Sequence, residues 1–293
     1  MKTSKRILTG LLAVLLLASL CTAFAADDDK TRAVIGADLT DDQIASVYST
    51  FGVKRGDVKE MTITNADERE YLDGYVDDSL IGTKSISCVY IKVLDDGSGL
   101  DVTTNNITWC APEMYVNALA TAGITDAKVI VAAPFQVSGT AALTGVYKAY
   151  EDITGQKLDE NAKLAGTQEL AVTSDLANEI GSEDSTAIVS DLKEILGETV
   201  KMSDDELRQK IAEIAKENNT TLSDKQTDQL VSLCRSMEKM DTSQLLERVN
   251  EAKQTLKKMA DAKTKAVGFI AKVQQVVTSI ADFFQSLVAH FKK

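Results

Sequence analysis

The strongest candidate for ligand contact in this 293-residue chain is the stretch from Val129 to Leu143. An apolar run leads into Pro134, then Ser138-Gly139-Thr140, then a helical pattern. A strand, a turn of small residues and a helix leave backbone N–H groups free at the helix start, where they can hold an anion. The stretch lacks the Gly-Lys-Ser/Thr of a phosphate loop and the three-glycine fingerprint of a dinucleotide site. Two readings of Ser138, Gly139 and Thr140 therefore stand: a ligand turn, or a plain helix N-cap.

Other chemistries find less support. The single histidine, His290, lies three residues from the end of the chain, a poor place for acid–base work near neutral pH. His-Glu-x-x-His, Cys-x-x-Cys and Gly-x-Ser-x-Gly are all absent, which argues against a zinc site and against a serine hydrolase of the usual kind. No metal, cofactor or catalytic residue is expected. Asp77-Asp78 and Asp95-Asp96 are adjacent acidic pairs that read as solvated turns. The second pair does not continue into a calcium loop, because Gly97 and Gly99 stand at early ligand positions and Asn106 replaces the closing glutamate. Paired acids can cleave glycosidic bonds, but sequence alone does not bring two of them to the needed separation. Cys88 and Cys110 lie in neighbouring strand-like runs, and a disulfide between them is one expectation for an oxidising exterior. Cys234 shares a helical apolar face with Leu230, Leu233 and Met237 and reads as a buried small hydrophobe.

The oxidising exterior is inferred from residues 1–25. Lys2, Lys5 and Arg6 precede an apolar run from Ile7 to Leu20, and Ala23-Phe24-Ala25 gives the small-x-small cleavage pattern. The run is shorter than the roughly 20 residues a spanning helix needs, so a removable signal peptide is expected rather than an anchor. Lipidation at Cys21 is the alternative, against which Leu20 stands where a small residue would be expected. The leader holds three of the 32 basic residues and none of the 44 acidic ones; without it, 29 basic residues face 44 acidic ones, a charge of −15. Such a chain repels phosphate backbones, so nucleic acid is excluded as a partner, and docking to anionic lipid is disfavoured.

The elements around these residues suggest an α+β fold in two parts: a mixed α/β sheet domain over 26–157 and an all-helical region over 158–293. Strands are predicted at Ala33–Ala37 and Val58–Thr64, with a helix opened by a Thr40/Gln43 capping box between them. Asn65 and Glu68 are read as capping a short second helix. Ser85–Leu94 and Leu100–Trp109 flank Asp95-Asp96-Gly97-Ser98-Gly99, which predicts a β-hairpin. A helix from Pro112 to Ala120, a strand at Ala127–Ala133 and a helix at Thr140–Ile153 follow. Beyond residue 158, helices are expected at Glu160–Ile180, Asp184–Leu196, Asp204–Glu217 and Asp224–Met240.

From Leu245 to Phe291 apolar residues recur in strict steps of four and three, with Lys263 the one charged member of the seam. Such a repeat predicts a long heptad-patterned helix, or a hairpin broken near Gly268. Its seam can pack inside the molecule, self-associate through residues 242–293, or touch a membrane surface through Phe269, Phe283, Phe284 and Phe291. The polar face is poor in lysine beyond residue 272, which weakens the membrane reading.

Several stretches together resemble a known family. They are Ala33-Val34-Ile35-Gly36-Ala37-Asp38-Leu39-Thr40, Thr64-Asn65-Ala66-Asp67-Glu68-Arg69, and Ile107-Thr108-Trp109 leading into Met114-Tyr115-Val116-Asn117-Ala118-Leu119. Thr121-Ala122-Gly123-Ile124-Thr125-Asp126-Ala127 and Val137-Ser138-Gly139-Thr140-Ala141-Ala142-Leu143-Thr144-Gly145 complete the pattern. In combination they resemble DUF1002, a family of secreted Gram-positive proteins of unknown function. The resemblance implies export and a similar two-part layout, and brings no catalytic residues with it.

The expected function is thus that of a secreted or envelope-associated binding protein, with an envelope component or another protein as partner. The alternative is an extracellular hydrolase of cell-wall glycan or peptide.

Overall fold

Which strand of a sheet ends in its centre is decided by how completely its residues are apolar. The structure, a computed structural model, describes residues 29–291, with side chains through Val267; the export signal at 1–25 lies outside the described residues. It is an α+β fold whose five strands are β1 (Thr31–Gly36), β2 (Lys59–Ile63), β3 (Cys88–Val93), β4 (Leu100–Ile107) and β5 (Ala127–Val137). They form one mixed sheet in the order β2-β1-β3-β5-β4. β1 and β3 are buried along most of their length, and so is the first half of β5. β2 and β4, with more exposed residues, take the edges.

The expected hairpin between β3 and β4 does not form. β5 lies between them, antiparallel to β3 and parallel to β4. Ala127 is flanked by Val93 on one side and Leu100 on the other. The Asp95–Gly99 loop arches over the start of β5: Asp126 accepts the Leu94 N–H through its carbonyl (3.0 Å) and the Gly99 N–H through its carboxylate (2.8 Å). The Asp95–Gly99 turn does reverse the chain, but its two arms do not pair. The apolar content of β5, with Ala127, Val129, Val131 and Ala132 fully buried, is what places a third strand inside it.

This arrangement also separates the cysteines, and the expected Cys88–Cys110 disulfide is not present. Cys88 opens β3 under helix α1 (Asp41–Phe51), where its sulfur accepts the Gly36 N–H. Cys110 lies beyond the end of β4, against Ser174 and Met114. Both are buried free thiols, as is Cys234, and burial pushes all three up to about 12.

α1 covers one face of the sheet through Ile44, Val47, Tyr48 and Phe51 on Ala33, Ile35, Cys88, Tyr90 and Ala132. Its Thr40/Gln43 capping box is present, and Gly52 closes it in the left-handed conformation. The alternate residues Val34 and Val89 face α5 (Thr140–Thr154), which Gly145 allows to approach closely. Between β2 and β3 lie α2 (Asn65–Leu72) and the single turn α3 (Asp78–Ile81). The α2 cap is Thr64 with Asp67, one residue earlier than expected, which turns Glu68 from a capping partner into a side chain on the buried face.

α4 (Pro112–Ala122) links β4 to β5 and packs on α6 (Glu160–Ile180). Gly166 permits that contact: a Cβ there would stand 2.6 Å from the Ala118 carbonyl oxygen. Next come α7 (Ser182–Glu194), the short α8 (Leu196–Thr199), α9 (Asp204–Glu217) and α10 (Asp224–Met237). Their apolar faces meet in one cluster around Ile188, Leu207, Ile211, Leu230 and Met237. α11 (Thr242–Phe291) is one unbroken helix of 50 residues, with no break at Gly268. Its first seam positions, Leu245, Val249 and Ala252, belong to the cluster or the buried core, and the first structural unit ends at Ala252. The second unit, from residue 253 on, continues as helix. No described helix is long and apolar enough to cross a membrane.

Candidate functional site

A cleft of about 320 Å³ opens where the ends of β4 and β5 meet α2, α3 and the start of α5. A shift in register makes it. Asn105 pairs with Ala132 but Ile107 pairs with Val137, so β5 carries extra residues around Pro134, which has no N–H to give to the ladder. Asn106 absorbs the mismatch in a left-handed conformation (φ 59°) and donates from its side-chain amide to the Ala133 carbonyl at 2.8 Å. The chain then turns through Val137-Ser138-Gly139 into α5.

Ser138, Gly139 and Thr140, the residues singled out from sequence, all line this cleft. The Ser138 hydroxyl donates to the Leu80 carbonyl at 2.8 Å and fastens the turn to α3. Gly139 has φ 100°, and a Cβ there would meet Ile107 Cγ2 at 2.6 Å and the Tyr115 hydroxyl at 2.9 Å. That hydroxyl donates to the Gly139 carbonyl, so the turn is held from both sides. Gly139 offers no side-chain cap, and Thr140 stands at the first helical position of α5.

The Thr140 hydroxyl faces inward and donates to Glu68 Oε2 at 3.1 Å. The other oxygen, Oε1, accepts from the Asn65 amide at 2.7 Å. Glu68 is 1% exposed yet lines the cleft. Burial pushes its carboxyl up to about 7, outweighing the two hydrogen bonds and the nearby Arg69 charge that favour the ionised form, while Asp38 adds to the rise. Arg69 does not pair with it. Its guanidinium is spent on Asp73 (2.9 Å), Asp78 (2.8 Å) and the Gly82 carbonyl (2.8 Å). Lys148 reaches Asp67 instead, at 2.8 Å. The remaining lining combines apolar Leu80, Ile81, Ile86 and Val137 with hydroxyls of Ser79, Ser87 and Thr108; Trp109 and an exposed Lys84 complete it.

Glu68 was missed as a site residue because its place at the start of a short helix reads as a cap. One signal was available. Glu68 precedes Leu72 by four residues, so the two share a helix face, and α2 buries that face. A charged residue on the buried stripe of a helix marks either an internal ion pair or a site.

Chemically, the cleft pairs a titratable carboxyl with hydroxyl donors and an apolar wall. It is the kind of concave, mixed surface that takes small molecules. Glu68 is the one carboxylate in its lining, so a pair of acids does not meet there. The Ser138 hydroxyl is engaged by a backbone carbonyl rather than by a base. Asp77 bonds Ser79, and Asp95 pairs with Lys30 at the surface.

The sequence profile of a family described as "Protein of unknown function (DUF1002)" matches residues 35–259. The chain is 36% identical to the "Uncharacterized protein YpuA" of Bacillus subtilis (strain 168), over 98% of this chain and 100% of that protein. No solved structure matches. The chain belongs to the DUF1002 family.

Proposed function

We propose that this DUF1002 protein is exported and acts as a non-catalytic binding protein, taking a small ligand in the cleft around Glu68. The observation that carries the reading is a buried carboxyl at the edge of an open cleft, held by two neutral donors and in direct ion-pair contact with none of the described basic groups. A protein that needed this group only for its fold would gain by placing a cation or an apolar side chain there. The leader at 1–25 supports export, and the scarcity of lysine in the sequence beyond residue 272 favours a protein partner over a lipid one. The seam of α11 past Ala252 is the part available for assembly, because its earlier positions serve the core of the first unit.

The experiment has two readouts. Trp109, the single tryptophan of the chain, lines the cleft, so its emission reports on occupancy. Titration with solubilised cell-wall fragments is expected to change that emission without releasing new products by mass spectrometry. Products that disappear in Glu68→Gln would make the protein a wall hydrolase instead. N-terminal sequencing of the native protein from the medium or envelope should begin at Ala26.

A further inference from the structure

Building on the cleft as a ligand site, we propose that its ligand is a small organic cation bearing a primary ammonium, with Glu68 as its counter-ion. The geometry of the charges points there. Each Glu68 oxygen accepts a single hydrogen bond, both from neutral donors, which leaves acceptor capacity on both. Among the described residues no Lys or Arg lies within ion-pair distance of it; Arg69 acts on it only from farther off, and the charged groups on the elements around it are committed elsewhere. On α2, Arg69 serves Asp73 and Asp78, and Asp67 pairs with Lys148 of α5. On α6, Lys163 holds Glu151, Glu160 and the Tyr71 hydroxyl. After β1, Asp38 adds negative charge, and its carboxylate accepts the Ser85 N–H. Lys84 lines the cleft from an exposed position and suits the neutral or acidic end of a ligand whose amine points inward.

The sign of the ligand follows. An anion placed at the Ser138-Gly139-Thr140 turn would lie beside the Glu68 carboxylate, because the chain already supplies an acceptor to Thr140. A cation relieves what an anion would aggravate: it gives a desolvated carboxylate the partner that water no longer provides. An ammonium also brings three donors to the free lone pairs of Glu68, in a cleft whose lining includes Thr108 and Ser87. Burial raises the Glu68 carboxyl to about 7, so such a ligand must displace a proton below that pH. Between pH 8 and pH 6 its affinity, counted on the concentration of the ammonium form, should fall about tenfold, one decade for the added proton competition.

The shared chemistry, a primary amine, can come from an amino sugar, a polyamine or an amino-acid derivative. D-glucosamine, putrescine and alaninamide distinguish these sources when each is titrated beside its fully N-acetylated counterpart, which for the diamine is N,N′-diacetylputrescine. Trp109 emission gives the affinity, and calorimetry in two buffers of different ionisation heat gives proton release. At least one amine should bind at pH 8, weaken about tenfold at pH 6 when affinity is counted on its ammonium form, release a proton on binding at pH 6, and bind Glu68→Gln at least tenfold more weakly. Glu68→Asp should keep the pH dependence at reduced affinity. An acetylated counterpart binding as tightly as its amine, or an affinity unmoved between pH 8 and pH 6, overturns the cation assignment even if Glu68→Gln fails to fold. Absence of binding by all three amines overturns it too, while the wall-fragment titration still decides separately whether the cleft binds anything.

Discussion

Two glutamates of this chain are withdrawn from water, and the fold treats them in opposite ways. Glu169 on α6 is 0% exposed and meets Lys193 of α7 at 2.8 Å. Its second oxygen accepts the Thr121 hydroxyl of α4, and Lys193 also donates to Thr121 and to the Asn117 carbonyl. Asn117 in turn donates to Ser190, so three helices close a polar network around one ion pair. Glu68 is 1% exposed, borders a cleft and has hydrogen bonds but no cation. Where a buried charge is neutralised from within, it fastens helices in register. Where it is left uncompensated beside open space, the compensation is reserved for something that comes and goes.

The largest test of that contrast is Lys193→Met. Removing the partner strands Glu169 in the interior, and the loss expected for a broken buried pair is about 3–5 kcal/mol. Urea unfolding should show it, and adding Glu169→Leu should restore most of the stability, since an apolar pair tolerates the site. A loss below about 1 kcal/mol would mean that the pair is not the fastening it resembles.

Glu68→Gln should act in the other direction. The folded carboxyl titrates at about 7 against an ordinary value near 4.5, so the native state holds its proton more tightly than the unfolded chain does. The stability it contributes is complete below about 4.5 and is lost as pH rises through 7. The glutamine variant should therefore be more stable at pH 8, by on the order of 2–3 kcal/mol, and equal to the parent below about pH 4.5. Melting curves across pH 4–8 measure this, and a destabilised variant at pH 8 would place Glu68 with Glu169 as a structural group.

The smallest effect concerns the helix that carries Glu68. Thr64 and Asp67 cap α2 reciprocally, the Thr64 hydroxyl accepting the Asp67 N–H and the Asp67 carboxylate accepting the Thr64 N–H at 2.8 Å. Thr64→Ala should cost about 1 kcal/mol. Because α2 has only eight residues, the loss should appear locally, as faster amide exchange over 65–72 with little change over α6 and α7. Equal acceleration in both regions would join what the comparison separates.

Local signals were readable before the fold was seen. The capping box at Thr40, the Pro112 helix start and the turn at Ser138-Gly139-Thr140 all rest on short-range chemistry, and each stands at the expected place in the chain, with Gly139 as the cap residue of the turn. What escaped was long-range. Asp95–Gly99 looks like a hairpin turn from either side, and no residue within it reports that a strand nearly thirty residues later will part its arms. Glu68 was obscured for the same reason, since its partner Thr140 is 72 residues away. The Lys193–Glu169 pair likewise joins two separate helices, each an ordinary charged helix in isolation.

The strand that parts those arms also sets a schedule. As the polypeptide grows from its N-terminus, β3 and β4 are made first and cannot satisfy one another, since each is built to bond a segment still to be translated. Until Val137 has emerged, the nascent chain carries one central and one outer strand with open edges, the state in which strands find wrong neighbours. Completion of β5 ends that exposure and shapes the cleft in the same event, because the residues that close the sheet run directly into the Ser138 turn.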